Sequence, residues 1–94
     1  MFVITSVYLK PLDVVDKFLK EHRDFLDAYY KKGLFIASGR KSSGGGGVIF
    51  AKGGTKEDLE KILAEDPFSR EAISRYEIIE FVPNRVAEGY ESLK

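Results

Sequence analysis

The 94-residue chain contains no cysteine. That excludes disulfides, zinc–thiolate sites, iron–sulfur clusters and thiol catalysis. It carries no excess of either charge: fifteen Lys and Arg balance fifteen Asp and Glu. A neutral chain has no broad positive field to draw it to phosphate backbones or anionic lipid. Neither nucleic acid nor a membrane is therefore expected as a partner. No apolar run approaches the roughly 20 residues needed to cross a bilayer. The first residues, Met1-Phe2-Val3-Ile4-Thr5-Ser6, lack the basic flank and apolar core of a signal peptide. A cytoplasmic location is the resulting expectation. Histidine occurs only once, at His22, and the acidic residues are scattered, so no metal centre is expected. No cofactor motif stands out either. The run Gly44 to Gly47 lacks a Gly-Lys-Ser/Thr ending and precedes no helix, so it is read as a flexible hairpin loop, able to act as a lid, and not as a phosphate cradle.

What remains is an ordinary globular composition, 44% hydrophobic, read as a single domain over 1–94 with a tail at 84–94. A domain of this size hides only ~60–65% of its extended-chain surface on folding, so it gains from covering leftover apolar surface with a second copy.

Phe2 to Leu9 is rich in β-branched and aromatic residues and reads as a first strand. Pro11-Leu12-Asp13 follows, with Asp13 placed to cap a helix and Asp16 three residues on. Val15, Phe18, Leu19, His22, Leu26 and Tyr29 then recur at three- and four-residue steps, the apolar stripe of one long helix. Gly33 suits its left-handed stop. Leu34–Arg40 and Val48–Ala51 read as a second and third strand, close enough for an antiparallel hairpin. Thr55, with Asp58 at the reciprocal position, opens a second helix that Asp66-Pro67 ends. A short helical turn is expected within 67–74, a fourth strand over Tyr76–Val82, and a loose helix in the tail.

The order βαββαβ implies an α+β, ferredoxin-like sandwich with helices on one face of an antiparallel sheet. Yet the strands carry apolar residues at both parities. Val3, Val7 and Leu9 oppose Phe2, Ile4 and Tyr8, and Ile79 and Phe81 oppose Ile78 and Val82. The uncovered face calls for a second sheet, and a homodimer forming a dimeric α/β barrel supplies it most simply.

Three groups can carry chemistry. His22 lies on or beside the apolar stripe, where an imidazole is partly desolvated and can serve as an acid or a base. A core-edge histidine bonded to backbone is the plainer alternative. Asp66 before Pro67 is a natural helix cap. It is also a carboxylate able to orient His22 as half of a general acid–base site. Ser38-Gly39-Arg40 closes the second strand. Gly39 permits close backbone approach, and Arg40 can clamp a carboxylate. Tyr29, Tyr30 and Tyr76 are candidates for a pocket wall or, more simply, for core.

Taken together, Glu21-His22-Arg23-Asp24-Phe25-Leu26, Ala37-Ser38-Gly39-Arg40-Lys41, Gly46-Gly47-Val48-Ile49, Glu65-Asp66-Pro67-Phe68 and Tyr76-Glu77-Ile78-Ile79-Glu80-Phe81 resemble the YciI-like family over nearly the whole chain. The resemblance implies a dimeric α+β barrel related to muconolactone-isomerase-like proteins. It implies a His–Asp active-site pair, carried here by His22 and Asp66, with Ser38, Gly39 and Arg40 at the pocket edge. The Gly-Arg-Lys form marks a branch in which a Pro-Arg pair often precedes the glycines; Ser43-Gly44 stands there in this chain. The activities the family implies are cofactor-free lyase, dehalogenase or isomerase steps on small cyclic or unsaturated compounds. The alternative is a non-catalytic module that binds a small ligand in the same pocket. An RNA-recognition domain shares the strand order, but Gly47-Val48-Ile49-Phe50-Ala51-Lys52 lacks its interleaved aromatics.

Overall fold

A computed structural model describes residues 1–94. Its elements are β1 (Phe2–Tyr8), α1 (Leu12–Lys17), α2 (Leu19–Lys31), β2 (Phe35–Arg40), β3 (Gly47–Ala51), α3 (Lys56–Leu63), α4 (Pro67–Arg70) and β4 (Ser74–Glu80). A 3-10 turn spans Glu91–Leu93. The sheet is antiparallel throughout, in the order β2-β3-β1-β4. This is the ferredoxin-like α+β arrangement that the order of elements implied.

Period-2 alternation decides which side chains meet the helices. Phe2, Ile4 and Ser6 of β1 are buried, as are Ile49 and Ala51 of β3. Phe2, Ile4, Ile49 and Ala51 meet Phe25 and Tyr29 of α2 and Leu59 and Leu63 of α3 in the main core. A second, smaller cluster joins Val15, Phe68 and Ile73. On the opposite face, Val3 pairs with Phe50 on one side and Ile79 on the other. Phe50 and Ile79 are exposed, and Val7 joins them.

The first helical segment is not the single helix its periodicity suggests. It breaks at Phe18, whose backbone (φ −107°, ψ 6°) leaves the helical region. The break lets α1 aim Val15 into the smaller cluster while α2 aims Phe25 and Tyr29 into the main core. Asp13 does not cap: Pro11 holds that position without a side-chain bond, and Asp13 lies in the first turn. At the start of α3 the reading holds, with Thr55 and Asp58 forming a reciprocal capping box, while the helix ends at Leu63, ahead of Asp66-Pro67.

β4 begins two residues earlier than its apolar run. Tyr8 pairs with Ser74 and Val7 with Arg75, so backbone pairing to β1 sets the start regardless of polarity. Beyond Glu80, the Phe81 amide still donates to the Met1 carbonyl, and Val82 has left the sheet. The tail forms no loose helix. It is irregular apart from the 3-10 turn, and Lys52 Nζ reaches the Ser92 carbonyl at 3.5 Å.

The glycine loop is tied down, in contrast to the flexible lid its composition suggests. The Tyr8 amide donates to the Gly45 carbonyl at 2.9 Å, and the Gly47 amide donates to Ser6 Oγ at 2.9 Å. A Cβ on Gly46 would lie 1.9 Å from the Ser6 carbonyl oxygen. No side chain fits there, which explains a glycine at that position better than mobility does.

Candidate active site

The side chain of His22, from the first turns of α2, is 15% exposed; that of Asp66, in the turn after α3, is completely buried. They are 44 residues apart in sequence, and the fold brings them together. His22 Nδ1 lies 2.9 Å from Oδ1 and 3.0 Å from Oδ2 of Asp66. An ionised carboxylate only accepts, so Nδ1 carries the hydrogen and donates. That leaves Nε2 as the basic nitrogen. The imidazole lies flat on the Phe68 ring, with centroids 4.0 Å apart and planes 2° from parallel. The stack and the carboxylate fix the ring in two independent ways.

Asp66 also caps α4. Its Oδ1 accepts the Phe68 amide at 3.0 Å, and Pro67 occupies the first helical position. Its Oδ2 accepts the Tyr76 hydroxyl. The plain cap and the orienting carboxylate are therefore one group. Three donors offset the cost of burying its charge. Tyr76, on β4, is pushed well above its ordinary pKa of 10.0, first by burial and then by the negative charge of Asp66. It stays a neutral donor over any ordinary pH range.

His22 opens onto a cleft of about 470 Å³. Ser38, Gly39 and Arg40 of β2 line it, so four of the five residues singled out from sequence share one concavity, with the fifth buried beneath. Ser38 Oγ bonds to the Tyr30 hydroxyl. Arg40 is less free than its sequence suggested. Its Nε donates to the Tyr8 hydroxyl at 3.2 Å, and a terminal nitrogen lies 4.0 Å from Asp16. No protein atom approaches the missing side chain of Gly39. Its absence widens the cleft and serves no close approach of backbone.

Tyr8, Asp16, Arg23 and Phe68 also face the cleft, and sequence reasoning gave none of them a site role. Ser6 and Tyr8 carried a readable signal. They fall on the inward parity of β1 after Phe2 and Ile4, where polar groups need a reason. Arg23 and Asp16 carried none, because on a helix they look like solvated surface. In sequence Tyr76 reads as an aromatic of a pocket wall or core, with no sign of Asp66 as its partner. Nothing in sequence shows a side chain 10 residues away turning back onto a cap.

A sequence model of the YCII-related domain matches residues 1–82. The chain belongs to that family. No curated protein sequence matches this YCII-related chain. Its fold is similar to that of 5-chloro-2-hydroxyhydroquinone dehydrochlorinase from Burkholderia phenoliruptrix AC1100, solved in complex with 2,5-dihydroxybenzoquinone. The TM-score is 0.71, over 86% of this chain and 93% of that one, at 14% sequence identity. Similarity at that identity speaks for the fold. No helix is long and apolar enough to cross a membrane.

Proposed function

We propose that the chain is a cofactor-independent enzyme that removes a proton from a small cyclic or unsaturated acid, with His22 as general base. The observation that carries this reading is the Nδ1–Asp66 bond beside an open cleft, which reserves Nε2 for a substrate. Nε2 takes a proton from carbon next to a carbonyl. The C–H electron pair becomes a π bond, and a leaving group on the next carbon departs with its own bonding pair. Asp66 holds the tautomer and offsets the charge of the imidazolium that forms. Ser38 and Arg40, at the rim, anchor an oxygenated or anionic ring. The bound dihydroxybenzoquinone in the similar dehydrochlorinase suggests planar, oxygen-rich rings, including halogenated ones, as the first substrates to try.

The working unit is a homodimer. Phe50, Ile79, Val7 and Phe81 leave an apolar sheet face open in one copy, and a second sheet of the same kind is its natural cover. Light scattering at micromolar concentration is expected to give twice the monomer mass, and Phe50→Glu is expected to give the monomer.

The decisive experiment compares wild type with His22→Ala on chlorinated hydroxyhydroquinones, whose 1,4-diketo tautomer carries a C–H next to a carbonyl and chloride on the adjacent carbon, reading chloride release and product mass. The variant is expected to stay folded and dimeric and to lose about 10²–10⁴-fold in turnover, the usual size of a general-base contribution. Retained turnover would rule the base out. Thermal stabilisation by 2,5-dihydroxybenzoquinone without conversion of any ring compound would instead favour a binding module.

A further inference from the structure

Asp66 meets three donors, and only two follow from the work already assigned to it. The Phe68 amide is capped, and His22 is held. The third, the Tyr76 hydroxyl, belongs to neither task. Tyr76 stands opposite Ser6 in the sheet, and the next inward residue on β4 is the apolar Ile78. A phenylalanine ring would fill the same space. The hydroxyl must be explained by the carboxylate it reaches.

Each oxygen of Asp66 has one fixed donor, the Phe68 amide on Oδ1 and the Tyr76 hydroxyl on Oδ2. His22 Nδ1 lies almost equally far from both, at 2.9 and 3.0 Å. We propose that Tyr76 is a positioning residue: it holds Asp66 square to the imidazole and draws off part of the negative charge that would otherwise lock a proton onto His22. This rests on the acid–base reading of His22. A base whose carboxylate partner is unquenched keeps its proton too tightly to return it; a hydrogen bond to that partner weakens the hold. The phenol is a dependable donor, because burial first and the Asp66 charge second oppose its ionisation, with Tyr8 adding to the effect.

The other charged groups around the ring are Asp16, Arg23 and Arg40 along the cleft, and the Glu21–Arg70 pair at 4.0 Å. All five are exposed, so water screens them, and a change at Tyr76 leaves them in place.

The test needs no substrate. His22 is the only histidine, so its ring gives a single set of NMR signals in the whole dimer. In Tyr76→Phe the midpoint of its protonation is expected to move up by about half a unit to one unit, a three- to tenfold gain in proton affinity. Site-specific replacement of Tyr76 by 3-fluorotyrosine keeps the hydroxyl, makes it a stronger donor, and is expected to move the midpoint down. That second variant carries the test if loss of the hydroxyl unfolds the chain. A midpoint unmoved in the variants that fold, or moved against these directions, overturns the proposal. Turnover retained in His22→Ala would sink the base reading separately, whatever the NMR result.

Discussion

Two helix starts, at Thr55 and at Asp66, look alike in sequence and behave differently in the fold. Each puts a short acceptor side chain ahead of a helix, and each accepts an amide at its cap, Asp58 at 3.1 Å and Phe68 at 3.0 Å. Thr55 is exposed, and its side chain bonds only to Asp58, three residues away. Asp66 is completely buried and binds residues from α2 and β4 as well. The first cap organises one helix. The second ties three elements together and carries a charge with no access to water. Burial, more than local chemistry, separates a cap from a site.

Removing each side chain makes the difference measurable at a fixed protein concentration. Asp66→Ala is expected to cost about 3–5 kcal/mol, the range for breaking a buried, charge-bearing network. Denaturant unfolding of the variant checks this; a loss under about 1.5 kcal/mol would make Asp66 an ordinary cap.

A smaller effect is expected at high pH. The Tyr76 pKa is raised on folding above its ordinary 10.0, so the neutral phenol is what the folded state prefers. Its contribution is fully present below about pH 10 and drains away as pH rises beyond that. Tyr29, raised by burial and by its bond to Glu65, adds to the same trend. Melting curves above pH 10 are expected to fall, and to fall less steeply in Tyr76→Phe. Equal slopes would detach Tyr76 from the buried charge.

The smallest effect is expected at the exposed cap. Thr55→Ala is expected to cost about 1 kcal/mol, as caps of that kind do. It is also expected to leave the His22 signals where they are. A shift in those signals would mean the two caps are coupled and the contrast between them too sharply drawn.

The order of elements was legible because each run carried its own period, 3.6 for the helices and 2 for the strands. The His22–Asp66 pairing could be raised from the residue types and strengthened by family resemblance, but not shown, since their contact depends on how α2 and α4 dock. The break at Phe18 was hidden by a stripe that continues smoothly across it; two separate cores, not propensity, divide the helix there. The early start of β4 was hidden because Ser74 and Arg75 are paired by backbone, which polarity does not reveal. Tyr76 was visible as an aromatic at an inward position, but its hydroxyl acquires a purpose only beside a carboxylate from elsewhere in the chain.

Gly46 leaves the cleft with one wall that cannot yield. With the Ser6 oxygen where a methyl group would sit, and with Gly45 held by the Tyr8 amide and Lys41 bonded to Gly46, the turn is welded to the central strand and only Ser42 to Gly44 project beyond the weld. The cleft is lined on either side of that turn, by Ser38, Gly39 and Arg40 before it and by Gly47, Val48 and Ile49 after it, so these walls keep their places whatever residues the tip carries. Changing the glycine itself would displace those walls, and with them the strand that carries Tyr8.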